Sequence, residues 1–201
     1  IFSFHPSAYE CSVQAAKVIR DAAIAAGAPD NCIQWLGMRS MYATNALMNH
    51  SGVATILATG GNAMVKAAYS CGKPALGVGA GNVPAYVEKS CVLKRAVNDI
   101  VLSKSFDNGM ICASEQAAIV DQEIYDAFKV EMSRFKVYFA NHEEKAKLET
   151  YMFGCTAYSD KVNEARLNPA IVGKPATWIA EQAGFVVPED TQIICAECEE
   201  V

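Results

Sequence analysis

One cysteine, Cys112, stands in a stretch that favours reactivity over burial. The segment FDNGMICASEQ (106–116) places it after an Asn-Gly turn and before a β-type run, among small and polar neighbours. Rigid scaffolds often present reactive groups at such loop positions. A cysteine attacks as the thiolate, so a catalytic one must be reachable, and its own backbone N–H can hold an oxyanion beside the sulfur. Cys112 is therefore a candidate nucleophile, although an unreactive loop thiol fits the same local sequence. Asp107 and Asn108 are expected to shape the turn, not to perform acid–base chemistry.

The other cysteines favour structural roles. Cys195 and Cys198 form a C-x-x-C pair, but without a second pair or a histidine at metal-ligand spacing this favours a strand over a zinc or redox site. In a chain of 201 residues with no visible secretory signal, free thiols in a reducing cytoplasm are expected. Four more cysteines fall in predicted helices or strands, where packed thiols are the usual case: Cys11, Cys32, Cys71 and Cys91.

Two glycine clusters follow predicted strands. In ILATGGNAMVKAAY, Gly60 and Gly61 separate a buried strand from a helix whose first N–H groups and positive dipole end can receive a phosphate or the nicotinamide end of a dinucleotide. Because the segment lacks G-x-G-x-x-G, a simple tight turn remains the alternative. The second cluster, GVGAGNVP (77–84), has three glycines in five residues and predicts a loop against a ligand or the nucleophile. A flexible domain junction is its alternative.

The elements that position these residues alternate in type. Strand and helix patterns follow each other through the first 80 or so residues, which is typical of an open parallel sheet with crossover helices. Ser7 with Glu10 predicts a capping box at the first helix, Ser40 caps the second, and Asn141 with Glu144 caps a later one. The predicted strands cover 1–4, 32–36, 53–59, 74–79, 85–88, 115–121 and 191–196, and the predicted helices cover 7–26, 40–50, 62–72, 91–104, 122–139, 141–152 and 175–183.

The composition excludes several classes of function. The chain is 52% hydrophobic and 19% charged, as globular proteins are. Its net charge of −5 gives no electrostatic reason to expect nucleic acid or an anionic membrane as a partner. No apolar run approaches the roughly 18 residues of a membrane span. The chain opens without methionine in the apolar run IFSF and stops just after TQIICA, so a piece of a longer polypeptide is expected.

The segment SFDNGMICASEQ resembles the nucleophile segment of the CoA-acylating aldehyde dehydrogenases, most of all the aldehyde dehydrogenase part of the bifunctional aldehyde–alcohol dehydrogenases. FSFHPSA, ILATGGNAMVKAAYSCGKPALGVGAGN, LKRAVNDIVLSK and NPAIVGKPATWIAEQAGFVVPEDTQI match the same family in order and spacing. One departure is Phe4, where the family tends to have a proline before His5. The resemblance implies an α/β, aldehyde-dehydrogenase-like fold in two partial domains. Residues 1–82 would belong to the NAD-binding, Rossmann-like domain and residues 83–201 to the catalytic thiol domain.

The resemblance also implies the chemistry. Acyl-CoA and NADH would be interconverted with aldehyde, CoA and NAD through a thioester or thiohemiacetal on Cys112, in fermentative alcohol metabolism. The expected cofactor-binding residues are His5, Pro6, Thr59, Gly60, Gly61 and Gly79, and no metal is expected. From the sequence alone, a ribose contact and an ordinary packed or solvent-facing side chain fit His5 equally well. The family forms oligomers, and the bifunctional enzymes form filaments, so association with further copies of the same chain is expected.

A missing carboxylate sharpens the expected reaction. Hydrolytic aldehyde dehydrogenases carry a Glu-Leu-Gly-Gly segment whose glutamate activates water, whereas the corresponding stretch here is Gly77-Val78-Gly79-Ala80. Without a base, attack of water on the thioester should be slow, and attack by CoA is favoured. Two alternatives remain: a catalytically inactive structural piece of such an enzyme, or a member of the same superfamily that reduces an acyl phosphate.

Overall fold

Two units make up the chain in the computed structural model, Ile1–Ala80 and Gly81–Val201. The structure describes residues 1–79 and 81–198. The division lies within two residues of the boundary predicted after residue 82. The assignment of cofactor and thiol chemistry to the two parts stays a prediction.

The first unit is built on a parallel strand pair with helices. Strand β1 pairs with β2 in a register that runs from Ile56 opposite Ala75 to Thr59 opposite Val78. The buried core of this unit consists of Met48, Ile56, Ala58 and Ala68. Its elements are α1 (Tyr9–Ala25), α2 (Met41–Asn49), β1 (Ile56–Thr59), α3 (Asn62–Tyr69) and β2 (Ala75–Val78).

Local sequence explains most of these boundaries. The Ser40 side chain accepts a hydrogen bond from the Ala43 N–H and caps α2, as predicted. Gly27 follows α1 in the left-handed region, with φ of 95°. Along β1 the side chains alternate, so Ile56 is buried whereas Leu57 is 75% exposed. The uninterrupted apolar run at 53–59 predicted burial on both faces, and in the described part of the chain only one face is covered.

The second unit contains two further parallel strand pairs, β3 with β4 and β5 with β6. Its largest buried cluster joins β3, α4, α5 and β5 through Val87, Val97, Val101, Phe128, Met132 and Val137. The elements are β3 (Pro84–Val87), α4 (Leu93–Ser105), β4 (Ala117–Val120), α5 (Tyr125–Arg134), β5 (Val137–Ala140), α6 (His142–Phe153), α7 (Ala176–Ala183) and β6 (Ile193–Ala196).

The amino-terminal predictions are partly wrong. Residues 1–4 and 32–36 do not form strands, because only Phe2 and Trp35 meet, in a single parallel bridge. Ile1 and Phe2 are 66% and 50% exposed, so these apolar side chains are not covered by the described part of the chain. The Ser7–Glu10 capping box is also absent. His5 instead accepts a hydrogen bond from the Ser7 N–H, and a 3-10 turn over Pro6–Ala8 precedes α1. Proline favours that first position because it has no N–H to satisfy.

The helix predicted over 122–139 is too long. It ends at Arg134, and Lys136 then adopts a left-handed conformation with φ of 66°. Val137–Ala140 forms β5 instead, because its β-branched and aromatic residues pair with β6. The second capping box is confirmed: the Glu144 N–H donates to Asn141 at 3.0 Å, and the Asn141 N–H donates to Glu144 at 2.9 Å.

Glu197 fixes the end of β6 to two helices. Its carboxylate accepts hydrogen bonds from Lys129, at 2.6 Å, and from the Tyr125 hydroxyl, while its carbonyl accepts one from Lys145 at 2.7 Å. These side-chain hydrogen bonds lower the pKa of Glu197 below its usual 4.5, and the one from Lys129 has the larger effect. Burial, followed by the hydrogen bond to Glu197, raises the pKa of Tyr125 to about 12.

All eight cysteines are free thiols. Of the C-x-x-C pair, Cys195 lies on β6, whereas Cys198 lies beyond the end of that strand, so the strand interpretation holds for one of the two. Burial raises the pKa of the Cys195 thiol. Across residues 1–79 and 81–198, no three His, Cys, Asp or Glu side chains are grouped to hold a metal ion. The helices of these residues are all too short or too polar to cross a membrane. Cys11 and Cys32 are exposed, which corrects the expectation that they are packed.

Candidate active site

A left-handed turn connects α4 to the segment that carries Cys112, the candidate nucleophile. Asp107 and Asn108 both have φ of 50°, and Gly109 has φ of 73°. Aspartate, asparagine and glycine are the residues that tolerate this region best. The Asn108 side-chain amide donates to the carbonyl of Gly173 at 3.0 Å and anchors the turn. The prediction that Asp107 and Asn108 shape the turn is confirmed.

Cys112 stands at the centre of a second, tighter turn. The carbonyl of Ile111 accepts hydrogen bonds from the Ser114 N–H at 3.2 Å and from the Ser114 hydroxyl at 2.9 Å. Ser114 is buried, whereas Cys112 is exposed. Within the described residues the Cys112 N–H has no hydrogen-bond acceptor. The turn is therefore anchored by the buried Ser114. It exposes the sulfur of Cys112 and leaves its N–H free to donate to an oxyanion.

The end of the second glycine cluster lies beside this turn. A Cβ built on Gly81 would lie 3.9 Å from the carbonyl oxygen of Cys112. Val83 and Gln116 hold the two segments together: the Val83 N–H donates to the Gln116 side chain at 3.0 Å, and the Gln116 N–H donates to the Val83 carbonyl at 2.9 Å. This end of the cluster therefore lies against the turn that carries Cys112. Ala80 lies outside the described residues.

Four of the predicted cofactor residues meet at the carboxyl edge of β1 and β2. Thr59 ends β1, the Gly60 N–H donates to the Val78 carbonyl at 3.1 Å, and Gly61 caps the N-terminus of α3. Gly79 follows β2, and a Cβ built there would lie 3.0 Å from the side-chain oxygen of Asn62. These contacts place the glycine turn and the end of β2 around the first turn of α3.

Gly61 has ordinary backbone geometry and open surroundings. Gly61 has φ of −65°, so positive φ is not what selects it. A Cβ built on it meets no atom within 4 Å. The space beside the α3 N-terminus is therefore open, as a bound dinucleotide would need.

His5 and Pro6 belong to the 3-10 turn before α1. The His5 Nδ1 accepts from the Ser7 N–H at 3.3 Å, and Pro6 opens the turn. No hydrogen bond among the described residues joins either of them to the glycine turn. Their expected cofactor role stays a prediction.

A cleft of about 430 Å³ adjoins the turn that precedes Cys112, within the second unit. Asn108, Gly109 and Met110 contribute to its wall, together with Lys104 at the end of α4 and apolar side chains from α6, α7, β6 and the segment 167–172. The sulfur of Met110 lies so close to Gly173 that a Cβ there would be 2.7 Å from it. The left-handed turn is thus packed against the segment that precedes α7.

Sequence reasoning missed Glu115. This residue follows Ser114 and is half-buried, and its Oε2 atom is buried without a hydrogen-bond partner in the part of the chain that the structure describes. An unpaired buried carboxylate oxygen is costly and unusual. The only signal in the sequence is a carboxylate three positions after the candidate nucleophile.

Comparisons with known proteins converge on one family. The family model described as "Aldehyde dehydrogenase family" matches residues 6–144. Aldehyde-alcohol dehydrogenase 2 of Entamoeba histolytica is 68% identical over 201 residues, which are 100% of this chain and 23% of that protein.

Solved structures extend the likeness to the fold. An acetylating aldehyde dehydrogenase from Geobacillus thermoglucosidasius superposes with a TM-score of 0.87 at 45% identity, over 98% of this chain and 42% of that one. The propionaldehyde dehydrogenase of Rhodopseudomonas palustris, solved with bound CoA and an acylated cysteine, gives a TM-score of 0.84 at 32% identity, over 98% of this chain and 43% of that one. The chain spans less than half the length of each of these proteins.

Proposed function

Since the chain belongs to the aldehyde dehydrogenase family and has its α/β fold, we propose that it carries the thiol chemistry of a CoA-acylating aldehyde dehydrogenase. The reaction is acyl-CoA + NADH ⇌ aldehyde + CoA + NAD, with acetyl-CoA as the first substrate to test. The observation that carries the proposal is the exposed Cys112 on a turn closed by the buried Ser114. The setting is fermentative alcohol metabolism in the cytoplasm.

Cys112 performs the covalent step. Its thiolate attacks the carbonyl carbon of the acyl-CoA, and the N–H of Cys112 donates to the resulting oxyanion. Collapse expels CoA as a thiolate and leaves a thioester on the cysteine. When bound, NADH would supply a hydride to that carbonyl, which gives the oxyanion of a thiohemiacetal on Cys112. Collapse of this oxyanion breaks the carbon–sulfur bond, releases the aldehyde and regenerates the Cys112 thiolate.

The carboxyl edge of β1 and β2 is the proposed cofactor site. The open space beside Gly61 and the first N–H groups of α3 suit the polar end of a dinucleotide. Thr59, Gly60, Gly61 and Gly79 would hold it, and His5 and Pro6 are proposed as further contacts. NAD rather than NADP is proposed on the family resemblance, so the assay compares NADH with NADPH.

CoA is the proposed acyl acceptor. Gly77, Val78 and Gly79 bring no carboxylate to the position from which hydrolytic relatives activate water. A related structure, the Rhodopseudomonas palustris enzyme, holds both CoA and an acylated cysteine. Thiolysis of the Cys112 thioester is therefore proposed to outrun its hydrolysis.

A structural role for the 201 residues alone is the second candidate. The chain covers 23% of its Entamoeba relative and 42% of the Geobacillus structure, so a complete site is proposed to need more of the polypeptide. We propose that the chain is part of a longer, homo-oligomeric enzyme. The isolated 201 residues are expected to show little activity.

Steady-state oxidation of NADH tests both candidates. The full-length protein that contains these residues should oxidise NADH with acetyl-CoA, and Cys112→Ser should abolish this, whereas Cys11→Ser, at an exposed cysteine on α1, should not. A parallel assay with acetyl phosphate tests the alternative substrate. An active isolated fragment, or full activity in Cys112→Ser, would overturn the corresponding statement.

A further inference from the structure

A lysine in the last turn of α4 supports the Cys112 turn from below. The Lys104 Nζ donates to the hydroxyl of Ser114 at 3.5 Å. That hydroxyl is part of a side chain only 1% exposed, and it donates in turn to the carbonyl of Ile111 at 2.9 Å. The three groups form a chain of hydrogen bonds that ends on the peptide group immediately before Cys112.

The same lysine also lies against the left-handed turn. A Cβ built on Gly109 would lie 3.5 Å from the Nζ of Lys104 and 3.4 Å from its carbonyl oxygen. Lys104 thus contacts Ser114 after Cys112 and lies beside the position of Gly109 before it. None of the ion pairs formed by the described residues includes Lys104.

We propose that Lys104 is a positioning residue for Cys112 and that it acts through the hydroxyl of Ser114. This inference rests on the proposed function of Cys112. An ammonium donor polarises the hydroxyl and strengthens the bond that the hydroxyl makes to Ile111, because charge-assisted and chained hydrogen bonds reinforce each other. The stronger bond holds the sulfur and the free N–H of Cys112 in the geometry that acylation requires.

The alternative is a purely local role, in which Lys104 interacts with the C-terminal end of α4. That role would change the stability of the helix but not the rate at which Cys112 reacts in folded protein. The positioning role predicts instead that the rate at which Cys112 reacts falls in folded protein. A nucleophile displaced by a fraction of an ångström loses rate, so about a ten-fold fall in acylation rate is expected.

The experiment measures acetyl transfer from acetyl-CoA to Cys112 in the full-length protein, as the rate of appearance of the acetylated peptide in mass spectrometry. The variants are Lys104→Met, Lys104→Arg, Ser114→Ala and the double variant Lys104→Met with Ser114→Ala. Lys94→Met, at an exposed lysine in the first turn of the same helix, is the control. Thermal unfolding establishes that each variant is folded.

The inference predicts that Lys104→Met and Ser114→Ala each slow acetylation about ten-fold, that the double variant is no slower than either, and that Lys104→Arg recovers most of the rate. Lys94→Met stays at the unmodified rate. Unchanged acetylation in Lys104→Met, or losses that multiply in the double variant, would overturn it. If Ser114→Ala does not fold, the comparison of Lys104→Met with Lys104→Arg decides alone.

Failure of the proposed function gives a different result. In that case the unmodified protein carries no acetyl group on Cys112, whatever stands at position 104. Failure of the inference leaves Cys112 acetylated at the same rate with and without the lysine.

Discussion

The hydroxyl of Ser114 donates to the carbonyl of Ile111 across 2.9 Å and closes the turn on which Cys112 stands. Ser114 is buried and Cys112 is exposed, so the proposed nucleophile projects from a turn that is fixed in the core. A side chain held by a rigid turn keeps its geometry, so little conformational entropy is lost when the substrate binds. The predictions for the segment 106–116 depend on this anchoring of the exposed Cys112 by the buried Ser114.

At Asn108, substitution by alanine should destabilise the protein more than substitution by glycine, whereas in a helix glycine is the more destabilising of the two. Glycine tolerates the left-handed conformation but removes the side-chain hydrogen bond to the Gly173 carbonyl. Alanine removes the same hydrogen bond and also disfavours the left-handed conformation. Alanine is therefore expected to lower the free energy of unfolding by about 1 kcal/mol more than glycine. Urea denaturation of the two variants measures the difference.

Asn98 provides the matched control, because it is exposed on α4 with helical neighbours. There glycine should be worse than alanine by about 1 kcal/mol. The same order at both positions would contradict the account of the turn.

Alanine substitutions at two glycines of the first unit should have different effects, one on stability and the other on cofactor binding. A methyl group on Gly77 would lie 2.6 Å from the Val65 side chain and 2.8 Å from that of Tyr69, where α3 packs on β2. Gly77→Ala is thus expected to cost about 1–3 kcal/mol of stability.

A methyl group on Gly61 meets open space instead. Gly61→Ala should leave the melting temperature nearly unchanged and raise the KM for NADH. Melting curves and KM values for both variants check the contrast. A large loss of stability in Gly61→Ala, or an unchanged KM, would argue against a cofactor at this edge.

Glu197 should contribute a pH-dependent part of the stability. Hydrogen bonds from Lys129 and Tyr125 lower its pKa in the folded state below the usual 4.5. Its stabilising contribution is therefore complete well above that value and is lost as the pH falls through the lowered pKa. Glu197→Gln should show a smaller loss of stability than the unmodified protein between about pH 6 and about pH 3.

Lys129→Met removes the larger cause of the shift and should flatten the same acidic limb. Denaturant melts at a series of pH values measure both variants. An acidic limb as steep in both variants as in the unmodified protein would show that another group dominates it.

Glu115 tests whether water or CoA removes the acyl group. It is the carboxylate nearest in sequence after Cys112, and one of its oxygens is buried without a partner in the described chain. We expect that Glu115→Gln leaves the lifetime of the acetyl-Cys112 thioester unchanged when CoA is absent. Glu123→Gln, at an exposed position beyond β4, is the control. A thioester that survives about ten times longer in Glu115→Gln alone would identify a water-activating base and contradict the preference for thiolysis.

Local signals predicted the fold where no distant contact competed with them. Asn141 and Glu144 form the capping box that their spacing predicts. Ser7 and Glu10 have the same spacing, but His5 and Pro6 impose a 3-10 turn first. The strand Val137–Ala140 was missed because it depends on pairing with Ile193–Ala196, far along the chain.

The site divides in the same way. The loop position and exposure of Cys112 follow from its immediate neighbours, which is why the sequence predicted them. The support by Lys104 does not, because it joins residues ten positions apart through the buried Ser114. Nor does the unpaired oxygen of Glu115, which depends on how the surrounding chain packs over it.

The most direct test of the central claim is to identify the sulfur that acetyl-CoA acylates. The full-length protein is mixed with acetyl-CoA without NADH, quenched in acid and digested, and the peptides with all eight cysteines are examined by mass spectrometry. We predict an acetyl thioester on Cys112 and none in Cys112→Ser. An acetyl group on another cysteine, or a thioester that still accumulates in Cys112→Ser, would contradict the mechanism.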